Sequence, residues 1–469
     1  MPVKSLPSWF DGIHVSMAGS YIALEGAWRQ HNEVSNGASD PPFANPGIPL
    51  QNSALWSERE FRLSAQQSRI ALKVNGDIDP NQHLKAYYEM DFLGASTDAN
   101  NRESNSFTPR IRQAYAQYDN DVYHLHAVAG QAWSLLTKNY YGMLPGTENA
   151  LVTINAQYVP GFDWLRNPQV RFVYDWDKIA WFGLSIEQPA TVFPGGVSAG
   201  TVSPPAPIIT SINNTCTGAS HLNGTTTCSN DIAPDIIEKA AFDPGWGHYE
   251  IFGLQRFFTD HTLTCIAGAC VAGSTAMTGP TTTKTNFGAG VGGSVLLPLI
   301  PKYLEFTGSF LYGRGISRYG AAQLADVTIA ADGSLTPLTG LSALVGLIGH
   351  PWDGLDVYAY AGMEQVSASF FNVGTTLFGF GNPGFSNVGC TIVTPFSFAG
   401  GIPANCIGNN RRVSDVTVGF WQNVYKGNYG RVAVGAQYAY IKREVFEGIG
   451  GAPSTDDNII LTSIRYYPF

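Results

Sequence analysis

The sequence predicts an all-β chain folded as a transmembrane antiparallel β-barrel, and three observations point there. Period-two alternation of apolar and polar residues recurs from end to end, while helical i, i+3, i+4 spacing is hard to find. Connections alternate between very short and very long, as they do between the two rims of a membrane barrel. The last run, Asn458 to Phe469, is strand-like and ends on an aromatic residue, the ending that outer-membrane barrels use.

Composition agrees. Aromatic residues make up 12%, glycines number 52 and charged residues only 13% of 469, against roughly 25% charged in an average soluble domain. Large barrels run as single domains, so residues 1–469 are expected to form one barrel with a periplasmic N-terminal segment at 1–15. No stretch reaches the roughly 20 consecutive apolar residues of a spanning helix. The start, Met1 to Trp9, shows no secretion signal, so the chain reads as mature with its signal already removed.

The strands justify themselves by parity. Leu84, Ala86, Tyr88, Met90 and Phe92 point one way, and Lys85, Tyr87, Glu89 and Asp91 the other. Val432, Val434, Ala436, Tyr438 and Tyr440 oppose Arg431, Gly435, Gln437 and Arg443, and Ala180, Phe182, Leu184 and Ile186 oppose Trp181, Ser185 and Glu187. Short turns are expected at Asn75-Gly76-Asp77, Asn120-Asp121, Asp175 to Asp177, Asp243 to Gly245, Pro298 to Pro301, His350 to Gly354 and Gly427-Asn428. Long loops are expected at 34–58, 94–109, 138–167, 189–234, 259–284, 319–339, 367–410 and 447–455. These connections separate about sixteen strands, with both termini on the turn side.

Six cysteines form three local pairs, Cys216 with Cys228, Cys265 with Cys270 and Cys390 with Cys406, in the polar loops 189–234, 259–284 and 367–410. Even numbers in exposed polar loops indicate disulfides in an oxidising compartment. Zinc binding is the alternative, but no histidine or second cysteine pair stands at ligand spacing.

Several motifs resemble a known family. They are Gly130-Gln-Ala-Trp-Ser-Leu-Leu, Pro168-Gln-Val-Arg-Phe, the run from Pro234 through Phe242 to Leu254, and Tyr312-Gly-Arg-Gly-Ile-Ser-Arg-Tyr. Together with Ser68 to Val74 and Leu84 to Glu89, they make the chain from about Leu63 onward resemble the DcaP-like porins. The resemblance implies a trimeric, sixteen-stranded outer-membrane channel associated with dicarboxylate uptake. It also implies a third loop, 138–167, folded into the pore as a constriction carrying Lys138, Tyr140, Tyr141, Glu148, Asp163 and Arg166.

Selectivity in such a pore is set by the charge at its narrow part. Bases on the expected lumen parity are Arg69, Lys73, Lys85, Arg110, Arg112, Arg171 and Arg431, while acids there are fewer, chiefly Glu89, Asp91 and Glu187. An anion-leaning lumen is therefore expected inside a chain of net charge -9. The competing reading is that the arginines pair with carboxylates and brace the wall. Arg314 and Arg318 are placed at a vestibule or against lipid headgroups such as those of lipopolysaccharide.

The expected function is passive diffusion of small hydrophilic solutes, with no cofactor, no metal and no nucleic-acid partner. Adhesion through disulfide-pinned loops is the alternative. Enzyme-like strings carry no support: Gly196-Val-Ser-Ala-Gly lies in a loop, Gly288 to Gly293 lies within a strand, and Asp77 to Asn81 lacks the rest of a calcium loop. His124 and His126 are expected on one face near the periplasmic rim, as interfacial polar residues.

Overall fold

The computed structural model describes residues 12–33, 47–94, 108–155, 158–194, 201–203, 208–211, 213–215, 227–264, 280–393 and 406–468. One antiparallel sheet of 20 strands runs through the chain. Its main run comprises β1 (Ile13–Ser16), β2 (Ile22–Arg29), β3 (Glu60–Ser64), β4 (Ile70–Asp79), β5 (Gln82–Gly94), β6 (Thr108–Asn120), β7 (Leu125–Trp133), β8 (Arg166–Trp176) and β9 (Ala180–Glu187). It continues with β10 (Asp235–Phe242), β11 (His248–Thr264), β12 (Thr281–Ile300), β13 (Leu304–Arg314), β14 (Thr339–Trp352), β15 (Leu355–Val366), β16 (Asn410–Gly427), β17 (Gly430–Val445) and β18 (Ser454–Tyr467). From β4 to β18 each strand pairs with the next in sequence. β1 pairs with β4, β2 with β3, and β2 also with β18.

The strand count exceeds the expected sixteen for two local reasons. The first two spans are interrupted, because side chains replace ladder bonds at the breaks. The Ser20 hydroxyl bonds the backbone of Ala71 and the Ser68 hydroxyl that of Ala23, on either side of a lone Tyr21–Arg69 bridge. In addition, Thr201–Ser203 and Ile208–Ser211 annex to the upper end of β11.

Alternation gives the sheet two unlike faces. The outer face is exposed and apolar, carrying Ile22, Leu24, Phe172, Phe182, Ile251, Val291, Phe310, Val345 and Ile464. At the short-turn end it carries exposed Tyr123, Trp176, Trp246, Tyr303, Trp352 and Tyr429. The inner face is buried and largely polar. In β5 the expected parity holds, with Leu84, Ala86 and Tyr88 exposed, Lys85 and Tyr87 less so, and Glu89 and Asp91 buried. In β18, Thr455, Asp457, Ile459, Leu461, Ser463 and Arg465 form the buried set and Ile460, Ile464 and Tyr466 the exposed one. One expected turn is displaced: Asn75-Gly76-Asp77 stays within β4. The reversal comes at Pro80-Asn81, where the Asp79 carboxylate accepts the Asn81 amide at 2.8 Å after a register shift at Asp77 and Asp79.

Long connections fill the inside of the sheet. Segments 134–165 and 315–338 contribute Ile154, Val159, Phe162, Trp164, Ala321, Leu324 and Leu338 to one apolar cluster with Leu344, Tyr358 and Tyr360 of the wall. Strands β11 and β12 extend into the region bracketed as loop 259–284, and a hairpin of Ser369–Val373 with Thr376–Phe380 occupies part of 367–410. Gly288 to Gly293 lies within β12. Among the described residues no helix is long and apolar enough to cross a membrane.

Among the described residues one of the three expected disulfides is present. Cys390 and Cys406 are bonded, and they pack with Leu50 and Val445. The other two expected bridges fall elsewhere. For the bridge of Cys216 with Cys228, only the backbone of Cys228 is described, opposite Asn214 in a short hairpin of Asn213–Thr215 with Thr227–Ser229. The side chain of Cys228, like the whole of Cys216, lies outside the described residues. For the bridge of Cys265 with Cys270, both Cys265 and Cys270 lie outside them, as does Gly196 to Gly200.

Candidate functional site

Strands β4 to β6 build a charged ladder on the inner face. Glu89 meets Arg69 at 3.4 Å and also pairs with Arg112, while its neighbour two residues on, Asp91, takes Arg110 through two bonds of 3.0 and 2.7 Å and Arg112 at 3.1 Å. Arg112 reaches inward because the β5–β6 ladder shifts register between Glu89 and Met90, which leaves Arg112 as the extra residue of a bulge. Lys85 meets Asp119 at 2.7 Å. Lys73 is exposed and lines the cavity described below.

Exposure is one-sided in three of these pairs, while the two pairs of Arg112 are buried on both sides. Side-chain accessibility is 20% for Arg69 against 5% for Glu89, 40% for Lys85 against 5% for Asp119, and 16% for Arg110 against 2% for Asp91. In these three the cation is the more exposed partner and the carboxylate is buried.

Segment 134–165 folds inward and is pinned along its length. Arg171, fully buried on β8, gives its guanidinium to the carbonyls of Trp133 (2.6 Å) and Met143 (2.8 Å). Glu187 accepts the Leu135 amide, the Ser134 hydroxyl and Asn167 Nδ2. Lys239 on β10 pairs with Glu250 at 2.6 Å and donates to the Thr137 carbonyl, while Glu250 accepts the Asn139 amide. On the far wall Gln437 accepts the Ile154 amide, Arg465 and Gln67 donate to the Ile154 carbonyl, and Trp421 donates to the Val152 carbonyl. Between this segment and β4 to β7 lies a cavity of about 1120 Å³, lined in part by Lys73, Lys85, Tyr87, Tyr115, Tyr140, Tyr141, Glu148 and Trp181.

The structure therefore brings together Arg69, Glu89, Asp91, Arg110 and Arg112, and places Lys73, Lys85, Tyr140, Tyr141 and Glu148 around one cavity. Arg171 and Glu187 anchor the inward segment instead. Arg431 stands in another group, over the Tyr467 ring at 3.9 Å and bonded to Asn423. Arg314 reaches the Pro337 carbonyl, and Arg318 bonds Gln188, Asn167 and Asp235. The expectation that acids are scarce inside is corrected: among the described buried residues carboxylates outnumber Lys and Arg sixteen to eight. Parity assigned Glu89, Asp91 and Glu187 but overlooked Asp119, Asp175, Asp235 and Glu250, which sit at or near strand ends where alternation is hard to phase.

His124 lies in the turn just before β7 and His126 on the strand, yet both meet the Asp175 carboxylate, His124 at 3.3 Å. His124 adopts a left-handed backbone (φ 55°) in the turn, whereas His126 is buried between Asp119 (2.7 Å) and Asp175 (3.0 Å). Among the described residues no group of three or more His, Cys, Asp or Glu side chains is arranged so that it could hold a metal ion.

Two titratable groups of the inward segment feel its burial. Burial pushes the Lys138 amine down to about 7, against weaker opposing pulls from Glu250 and Asp163; its Nζ donates to the Thr307 hydroxyl at 2.7 Å. Burial, assisted by Glu364, raises Asp163 well above the usual carboxylate range. Because the seated Lys138 releases its proton near pH 7 and a solvated lysine near 10.4, the unseated segment holds more protons between those values. Seating through Lys138 is therefore weakest below pH 7 and strengthens as pH rises from 7 toward 10, while Asp163 acts in the opposite sense above pH 4. Comparing amide exchange of residues 138–155 in wild type and Lys138→Met isolates the first contribution. The wild type is expected to gain protection relative to the variant across pH 7–10, and identical profiles would contradict it.

No family model and no curated protein matches the chain. Among solved structures, the crystal structure of the outer membrane channel DcaP of Acinetobacter baumannii is similar at 17% identity, with 97% of each chain covered and a TM-score of 0.59. The anion-selective porin from Comamonas acidovorans aligns at 11% identity over 97% of this chain and 99% of its own, with a TM-score of 0.47. Over nearly its whole length, the chain has the fold of an outer-membrane porin.

Proposed function

We propose that this chain is an outer-membrane diffusion channel for small hydrophilic solutes that leans toward anions. The observation that carries the channel reading is the two-faced wall. An exposed band of Ile, Leu, Val and Phe on one side suits hydrocarbon, the exposed tyrosines and tryptophans at the turn rim suit an interface, and the charged inner face suits water. Taking β1 with β2 and β3 with β4 as single spans reduces the main run to sixteen, and the pairing of β18 with β2 supports a ring with no free edge. Assembly as a homotrimer and contact with lipopolysaccharide belong to the same reading, as do dicarboxylates as solutes.

The sign preference rests on the one-sided pairs. Acids outnumber bases in the interior, and Asp121, Glu148 and Glu305 also line the cavity. Arg69, Lys85 and Arg110 are nevertheless the more exposed members of their pairs and Lys73 is exposed, which favours cations as the groups that a passing solute meets. The reversal potential across a salt gradient is expected to report anions as the more permeant ions, and Lys73→Glu with Lys85→Glu is expected to move it toward cations. A cation-preferring wild type, or a double variant with an unchanged potential, would refute the assignment.

A further inference from the structure

We propose that the narrow part of the channel is made by two segments acting as one body, 134–165 and 315–338, and that Glu364 is the positioning residue that ties both to the wall. The proposal rests on the porin reading and deepens it. The sequence places residues 319–339 among the outer loops. The structure turns their neighbourhood inward: Ala321, Ala322 and Leu324 share the apolar cluster of Ile154, Phe162 and Trp164.

The two segments also join through backbone. The Trp164 amide donates to the Tyr319 carbonyl at 3.2 Å, and Asp163 bridges Gly320.

Glu364, fully buried on β15, lies where these segments meet. One of its oxygens accepts the Gly161 amide at 2.8 Å, and both accept the Ala322 amide at 3.1 Å. Among the described residues no Lys, Arg or His forms an ion pair with it. A wall-bracing carboxylate of the kind seen at Glu89 or Asp91 takes arginines from a neighbouring strand, whereas this one takes loop amides from two separate segments. Close approach is written into the sequence as well. A Cβ at Gly362, two residues before Glu364, would collide with the Pro160 carbonyl, and a Cβ at Gly320 would collide with the Glu364 carboxylate. The outer end of 315–338 is held independently, since Asp326 accepts the amides of Val192 and Arg318 and pairs with Arg256 at 2.9 Å. Weakening Glu364 therefore loosens the inner edge of both segments without detaching the second from the wall.

The test is Glu364→Gln in the full chain, folded in detergent, read by amide exchange and by single-channel recording. Turning one acceptor oxygen into an NH2 donor that faces the Ala322 amide is expected to raise the unseated fraction about tenfold or more. Exchange should accelerate together around Gly161 and around Ala322, and recordings should show more time in a larger conductance level. Acceleration in one segment only, or in neither, would overturn the proposal. If Glu364→Gln does not fold, Gly362→Ala, which drives a methyl group into the Pro160 carbonyl, carries the same expectation. A wild type that exchanges as described but never conducts would count against the channel reading while leaving the two-segment joint standing.

Discussion

Arg465→Ala is expected to destabilise the folded chain by about 3–5 kcal/mol, the range for removing one partner of a buried ion pair. Arg465 sits on β18 with its guanidinium between the rings of Tyr21 at 5.0 Å and Trp421 at 4.6 Å. Its Nη2 contacts Glu25 on β2 at 2.6 Å and donates to the Ile154 carbonyl of the inward segment at 3.0 Å. One side chain thus joins the last strand, the second strand and the loop inside. Truncation strands Glu25, which is fully buried and keeps, among the described residues, no ion-pair partner, with a 3.3 Å bond from Ser463 remaining. The shift in denaturant midpoint measures the effect, and pairing the change with Glu25→Gln should recover much of it, because the stranded charge is then gone. A loss below about 1 kcal/mol would mean that the pair is solvated rather than buried.

Ile251→Arg is expected to cost about 2–4 kcal/mol of stability in a bilayer, the penalty for arginine at mid-depth on a lipid-facing barrel surface. Ile251 is 68% exposed on β11, flanked across the sheet by Ala240 and Gly293, with Phe172, Phe182 and Val291 lining the same outer concavity. In water such exposure would favour the substitution. The sign of the effect therefore distinguishes hydrocarbon from solvent on that face. Folding yield into lipid vesicles should fall for Ile251→Arg and stay near wild type for Ile251→Leu. Equal yields would remove the reason to read the outer face as lipid-facing.

Much of the wall was legible because a two-residue period needs no tertiary information. Lys85, Glu89 and Asp91 were placed on one face by spacing alone, and the structure keeps them there. Breaks in the period were not legible. The Ser20 and Ser68 hydroxyl bonds that divide the first spans depend on partners far along the chain, and Arg112, expected on the inner face, is there by way of a bulge that spacing does not show. Aperiodic segments gave still less. Nothing in 315–338 announces that Ala322 will donate to Glu364, because the joint uses backbone amides and small residues that carry no sequence pattern. The arginine ladder was half read. Its positions follow from parity, but its pairing with buried carboxylates, and hence which charge faces water, required coordinates.

The most direct measurement is the conductance of the purified, folded chain in a planar lipid bilayer. A sheet with hydrocarbon on one face and water on the other predicts discrete, ohmic conductance steps from protein that keeps a β-type circular dichroism spectrum. Protein with that spectrum that inserts into the bilayer and passes no current would contradict it.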